Sequence, residues 1–144
     1  MYRISSNGIV TVNRGDSFEL PVNLHIGNFL NPDIYNLKES DTVYLGIMEP
    51  NQMFETAIVR KKFTYEDYLN NGESVIFRFF PQDTCCLLPG KYYYQIKLST
   101  INPDTQFEDV ETIVDKTLFY IQEWLWYIIE LLFRVLLIKT MPLN

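Results

Sequence analysis

Between Gly8 and Ile121 apolar and polar residues alternate in short runs broken by Gly, Pro, Asn and Asp, the period-two pattern of half-buried strands. The clearest run is Leu88-Pro89-Gly90-Lys91-Tyr92-Tyr93-Tyr94-Gln95-Ile96-Lys97-Leu98, where a Pro-Gly corner opens into a strand with Tyr92, Tyr94, Ile96 and Leu98 on one face. Residues 8–13 and 17–24 read as two earlier strands, the second with Phe18, Leu20, Val22 and Leu24 inward and Pro21 outward. A proline brings no N–H to a ladder, so that second strand belongs at an edge or on a bulge. Asn13-Arg14-Gly15-Asp16 between them reads as a hairpin turn, since Gly and Asp accept positive φ. Arg14-Gly15-Asp16 is also the well-known cell-adhesion tripeptide, but turn chemistry accounts for it without a receptor.

Residues 27–40 contain Asn31-Pro32-Asp33 and no clean period, which predicts a long connection. Residues 41–48 form a third strand with Val43, Leu45 and Ile47 on one face, and 55–63 a fourth. Thr64-Tyr65-Glu66-Asp67 starts a short helix capped by Thr64 and stopped by Asn70-Asn71-Gly72. A fifth strand, 73–80, places Val75, Phe77 and Phe79 together; Pro81-Gln82-Asp83-Thr84 then opens a helical turn, after which Leu87 or Leu88 plugs the base of the core. With the tyrosine strand and 107–121, in one long or two broken strands, there are about seven strands, the number of an immunoglobulin-like sandwich. The expected fold class is all-β, an immunoglobulin-like antiparallel β-sandwich over residues 1–121 with an apolar C-terminal tail over 122–144.

That tail changes the picture. From Trp124 to Ile138 only Glu130 and Arg134 interrupt an apolar run. On a helix those two stand four residues apart and share one narrow stripe, leaving the remaining surface hydrophobic. Such a stretch spans about 22 Å as a helix against a hydrocarbon thickness of about 30 Å, too short for a comfortable membrane span. Burying each large side chain contributes about 1.5–3 kcal/mol, so the favoured fate is a subunit or partner contact through Trp124, Trp126, Ile128, Leu132, Phe133 and Leu136. A membrane anchor at 124–138 and a non-native extension remain as alternatives.

Composition narrows the function classes. The 144 residues suit one domain with a core of its own, and ten Tyr and ten Phe favour strands. The formal net charge is -6, and Arg60-Lys61-Lys62 is the longest basic run, read as a solvated strand end. Nucleic-acid binding needs a concentrated positive footprint, so no nucleic-acid partner is expected. Cys85 and Cys86 are adjacent, poorly placed for an unstrained disulfide, and read as reduced, partly buried thiols. Together with an N-terminus lacking an apolar run, they favour synthesis without secretory export.

No catalytic constellation emerges. His25 is the single histidine and reads as a rim residue, which argues against Ser-His-Asp or Cys-His triads and zinc sites. Asp104, Glu108, Asp109, Glu111 and Asp115 are the densest acidic patch, but their spacing matches no calcium loop and they read as a solvated strand face. No cofactor and no catalysis are expected.

The order Val12-Asn13-Arg14-Gly15-Asp16-Ser17-Phe18, Asp41-Thr42-Val43-Tyr44-Leu45-Gly46-Ile47, Phe80-Pro81-Gln82-Asp83-Thr84 and Leu88-Pro89-Gly90-Lys91-Tyr92-Tyr93-Tyr94-Gln95-Ile96-Lys97 resembles small β-sandwich modules of tailed bacteriophages. These are similar to the N-terminal domain of upper baseplate (BppU-type) proteins and related tail or head-fibre attachment modules, over residues 8–121. The resemblance implies a virion part, made in the bacterial cytoplasm, that docks by protein contact without catalysis. Members usually continue into a fibre or receptor-binding region, whereas here an apolar tail follows. The expected partners are other virion proteins or further copies of the chain. Two other readings stand beside it: a carbohydrate-binding adhesin module, and a small membrane-attached protein held by 124–138.

Overall fold

A computed structural model describes residues 2–28 and 30–140, with side chains described for all of these except 26–28, 31, 32, 124–128 and 130. In chain order the strands are β1 (Tyr2–Ile4), β2 (Val10–Asn13), β3 (Phe18–Val22), β4 (His25–Asn28), β5 (Asn31–Ile34), β6 (Thr42–Met48), β7 (Val59–Thr64), β8 (Val75–Phe79), β9 (Gly90–Ile101) and β10 (Glu108–Gln122). The helices are α1 (Tyr65–Asn70), α2 (Pro81–Thr84) and α3 (Trp124–Thr140), and a 3-10 turn spans Phe54–Thr56. The protein is mostly β, as expected, with a helix at its C-terminal end.

Alternation places the core. β9 buries Tyr92, Tyr94, Ile96 and Leu98, and β6 beside it buries Val43, Leu45 and Ile47 on the same face. A six-stranded sheet in the order β1-β2-β10-β9-β6-β7 carries these rows and curls like half a barrel. Its pairs are antiparallel except β2 with β10, which run parallel with Val10 beside Phe119. β3 and β8 form a separate ribbon whose Phe18, Leu20, Phe77 and Phe79 are buried. Phe18 stacks on Phe79 at 4.3 Å between ring centroids, and both reach Phe119 of the large sheet, at 5.9 and 6.1 Å. Phe77 meets Phe63 edge-on at 5.9 Å, so the ribbon covers the concave side of the sheet. Aromatic pairs of this kind contribute about 0.5–1.5 kcal/mol beyond the area they bury.

Local signals behave as their chemistry dictates. Thr64 caps α1 through a reciprocal box: its N–H donates to Asp67 Oδ2 at 2.9 Å while the Asp67 N–H donates to Thr64 Oγ1 at 3.3 Å. Pro21 faces outward on the two-stranded ribbon, where its missing donor costs least. Of the two leucines proposed as a plug, Leu87 packs on the core and Leu88 is exposed.

Four expectations are corrected. Asn13-Arg14-Gly15-Asp16 turns the chain, but β2 and β3 do not form a hairpin: β2 joins the large sheet and β3 the ribbon. A turn signal sets local φ, here +81° at Gly15, and carries no information on which sheet the next strand enters. Within the 27–40 connection, β4 and β5 pair as a hairpin instead of running free. The fourth strand starts at Val59, because Phe54–Thr56 winds into the 3-10 turn. β1, too short to show a period, was not foreseen, and with the β4–β5 pair it raises the strands among the described residues from about seven to ten.

Candidate interaction surfaces

The Arg-Gly-Asp corner is clamped from three sides. The Arg14 N–H donates to the Gln122 carbonyl at 2.7 Å, and the Gly15 N–H donates to Thr84 Oγ1 at 2.8 Å. The Arg14 guanidinium donates to the Cys85 carbonyl at 2.9 Å and pairs with Glu123 at 3.0 Å. Thr84 is fully buried, so its hydroxyl is held where the glycine amide needs it. The corner thus ties together the end of β10, the α2 turn and the residue that leads into α3, and the adhesion tripeptide serves as a joint.

The tyrosine corner is closed in the same manner. Gly90 has φ +152°, and the Tyr92 hydroxyl donates to the Leu88 carbonyl at 2.7 Å, stapling the strand to the bend that feeds it. The Tyr94 hydroxyl donates to the Gly8 carbonyl at 2.6 Å. Burial pushes the pKa of both phenols up, helped for Tyr92 by the charge of Glu49. Asp41, 3% exposed, accepts from the Tyr35 hydroxyl at 2.6 Å and the Lys38 N–H at 2.9 Å. Burial, this hydrogen bond and the Asp41 and Glu111 charges raise Tyr35 well above the usual phenol range, so it stays a donor.

The chemistry-bearing residues do not converge. His25 is exposed and lines a 480 Å³ hollow with Tyr35, Tyr68 and Glu73, a single carboxylate among the described residues there. Asp104, Glu108, Asp109, Glu111 and Asp115 are exposed, and Glu108 accepts from the Ser99 hydroxyl at 2.6 Å. Among the described residues no group of three or more His, Cys, Asp or Glu is placed to hold a metal ion. Cys85 is half-buried, but Cys86 is exposed, which corrects its reading as a partly buried thiol. Their sulfurs lie 3.5 Å apart, and that contact raises the Cys85 pKa.

Two surfaces remain. The first is α3, the helix foreseen in the tail. Leu132 is 58%, Phe133 63% and Leu136 59% exposed, and Leu131, Val135, Leu137 and Ile138 are exposed with them. The side chains of Trp124, Trp126 and Ile128, named with them as contacts, lie outside the described residues. Exposure extends all around the last turns, so the apolar surface that a narrow polar stripe leaves stands in water, where such a helix would ordinarily be buried. No helix among the described residues is long and apolar enough to cross a membrane.

The second surface is a 510 Å³ groove along β7, lined by Lys62 and Phe63 on that strand and by Ile76, Phe77 and Arg78 on β8, with Phe80 at its end. Nothing in the spacing of Arg60-Lys61-Lys62 reveals it, because it exists only where the ribbon meets the edge of the large sheet. Lys61, central in that run, is drawn away to Asp83 at 2.6 Å. The outer face of β7 and β6 carries a further 490 Å³ hollow where Tyr44, Arg60, Lys62 and Lys97 surround Phe54. The Lys97 ammonium sits 4.8 Å from the Phe54 ring centre, and the ring lies so close to Gly46 that a Cβ there would stand 3.0 Å from it.

No family model matches this chain, and neither a curated protein nor a solved structure matches it.

Proposed function

We propose that the chain is a non-enzymatic structural module of a tailed-bacteriophage particle, acting in baseplate, tail or head-fibre assembly through contacts with other virion proteins or with further copies of itself. The observation that carries this reading is α3, whose Leu132, Phe133 and Leu136 stand more than half exposed beside a core that needs nothing from them. A helix of 17 residues is about 25 Å long, and removing its large apolar side chains from water contributes about 1.5–3 kcal/mol each. That gross gain is large enough to offset the about 4–15 kcal/mol that association costs in lost freedom. Assembly is the use of such a helix that leaves no part of it in water.

The immunoglobulin-like sandwich belongs to the same proposal. It is supported by the ribbon of β3 and β8 facing the large sheet across stacked Phe18 and Phe79, and by the Tyr92 hydroxyl closing on a carbonyl four residues upstream, the hydrogen bond of a tyrosine corner. Order of motifs along the chain supports the phage assignment.

The test has two arms. Sedimentation velocity of the full chain at about 0.5 M salt, where exposed charges are screened, is expected to give an oligomer that Leu132→Glu with Phe133→Glu dissolves. A monomer before substitution overturns the assembly role. The genes flanking the coding sequence are expected to encode capsid, tail or baseplate proteins; an enzyme operon overturns the phage assignment.

A further inference from the structure

We propose that Cys85 and Cys86 form a reversible oxidation site: a small disulfide of the glutathione class converts the two thiols into an intrachain disulfide, and closing it loosens the Arg14 joint that leads into α3. The inference is independent of what covers α3. Both cysteines are free, Cys86 exposed and Cys85 half-buried, and their sulfurs stand 3.5 Å apart. The turn that carries them is anchored on either side, by fully buried Thr84 before it and by Leu87 packed on the core after it, with the Leu87 N–H donating to the Thr84 carbonyl at 3.0 Å. The anchoring holds the pair at the surface, where a small molecule reaches it.

The chemistry is thiol–disulfide exchange. Cys86, the more exposed, reacts first: its sulfur gives up a proton and bonds to one sulfur of the small disulfide, whose S–S bond breaks and whose other half leaves as a thiolate that takes up a proton. Cys85 then gives up its own proton, its sulfur bonds to that of Cys86, and the second half of the reagent leaves in the same way. Two electrons and two protons pass from the protein to the reagent, which ends as two small thiols. The second step is intramolecular and finds its reactant already in place, 3.5 Å away.

Adjacency makes the product labile and couples it to the fold. The peptide between the two residues is trans, which sets their Cα atoms about 3.8 Å apart, whereas a relaxed bridge spans about 4.4–6.8 Å. A disulfide strained in this way is readily reduced again, which suits a switch and not a structural staple. The ring that closes contains the peptide bond between the two cysteines, and the carbonyl of that same peptide, on Cys85, accepts from the Arg14 guanidinium at 2.9 Å. Cys85 has φ -59° and ψ -29°, helical values continued from α2, and drawing the sulfurs to a bond of about 2.05 Å turns this peptide through ψ. Arg14 then loses its acceptor, and its 3.0 Å ion pair with Glu123 loses the clamp on its other side. Oxidation thus acts on the corner that joins β10, α2 and the start of α3.

The experiment treats the full chain with oxidised glutathione at low protein concentration and reads the intact mass. The parent is expected to end two hydrogens lighter with no glutathione attached, whereas Cys85→Ser is expected to stop at a lasting glutathione adduct on Cys86. Excess reduced glutathione is expected to return the parent to its starting mass. A parent that keeps an adduct, links two chains or resists that reduction overturns the reversible internal disulfide. Hydrogen exchange compares the oxidised with the reduced parent and so relies on no variant. The amides of Arg14 and Gly15, bonded to Gln122 and Thr84, are expected to exchange about threefold or more faster after oxidation. The Cys85→Ser/Cys86→Ser chain, given the same treatment, is expected to show no change. Oxidation that leaves those amides as they were overturns the link to the joint.

Discussion

The concave side of the large sheet and the surface of α3 are built from the same kinds of residue and meet opposite fates. Val10, Val12, Val43, Ile47 and Phe119 are fully buried in one core cluster with Phe18, Leu20, Phe77 and Phe79 of the β3–β8 ribbon, whereas Leu132, Phe133 and Leu136 face water over more than half their area. The sheet finds its cover within the chain because strands distant in sequence return to it, with Phe18 and Phe79 stacked over Phe119. α3 follows the last strand, so no later segment among the described residues returns to cover it. One region is completed by folding; the other is left exposed to water.

The contrast breaks most readily at its centre. Phe79→Ala is expected to cost about 3–5 kcal/mol in urea denaturation, since it empties the stack between ribbon and sheet. The same truncation at Phe133 is expected to shift the stability of the monomer by no more than about 0.5 kcal/mol. Equal losses at both positions would mean that α3 is part of the core.

Next in size is the clasp at Asp41. Asp41→Ala leaves the Tyr35 hydroxyl and the Lys38 amide without their acceptor and is expected to cost about 1–3 kcal/mol, read as a lower denaturation midpoint with an unchanged slope. A smaller loss, about 1 kcal/mol, is expected for Gly15→Ala, which must hold φ +81°. If the Arg-Gly-Asp corner joined two strands of a loose hairpin, that substitution would leave the start of α3 undisturbed. As the joint between β10, α2 and Glu123, it is expected also to raise hydrogen exchange at residues 122–124.

pH supplies the mildest probe. Tyr35, Tyr92 and Tyr94 have pKa values raised in the folded state, so folding holds their protons more tightly than the unfolded chain does. Their contribution is intact below the ordinary phenol value of about 10 and is lost as the pH climbs from there through the folded values. Stability measured between pH 8 and 11 should stay level and then fall, and Tyr94→Phe should flatten the fall. The proposed α3 contact, with no raised phenol among its described residues, should not follow the same curve.

Much of the core was legible because a strand period is a local property: Tyr92, Tyr94, Ile96 and Leu98 share a face whatever their neighbours do, and Thr64 announces the helix it caps. Pairing was not legible. The Arg14-Gly15-Asp16 turn reads alike whether it joins two strands of one sheet or two sheets, and the difference rests on Thr84 and Gln122, far off in sequence. The apolar surface of α3 was visible as a composition break at Trp124. The β7 groove was hidden, since Arg60-Lys61-Lys62 gives no hint that Phe77 and Arg78 will lie alongside.

The most direct test of the division between a self-sufficient core and a helix completed from outside is the mass of the full chain in solution at about 0.5 M salt, before and after Leu132→Glu/Phe133→Glu. The account predicts an oligomer that becomes a monomer still folding cooperatively, with a melting curve that no longer depends on protein concentration. A parent chain that is already monomeric, with a melting curve that collapses on substitution, would show α3 folded into its own protein and contradict it.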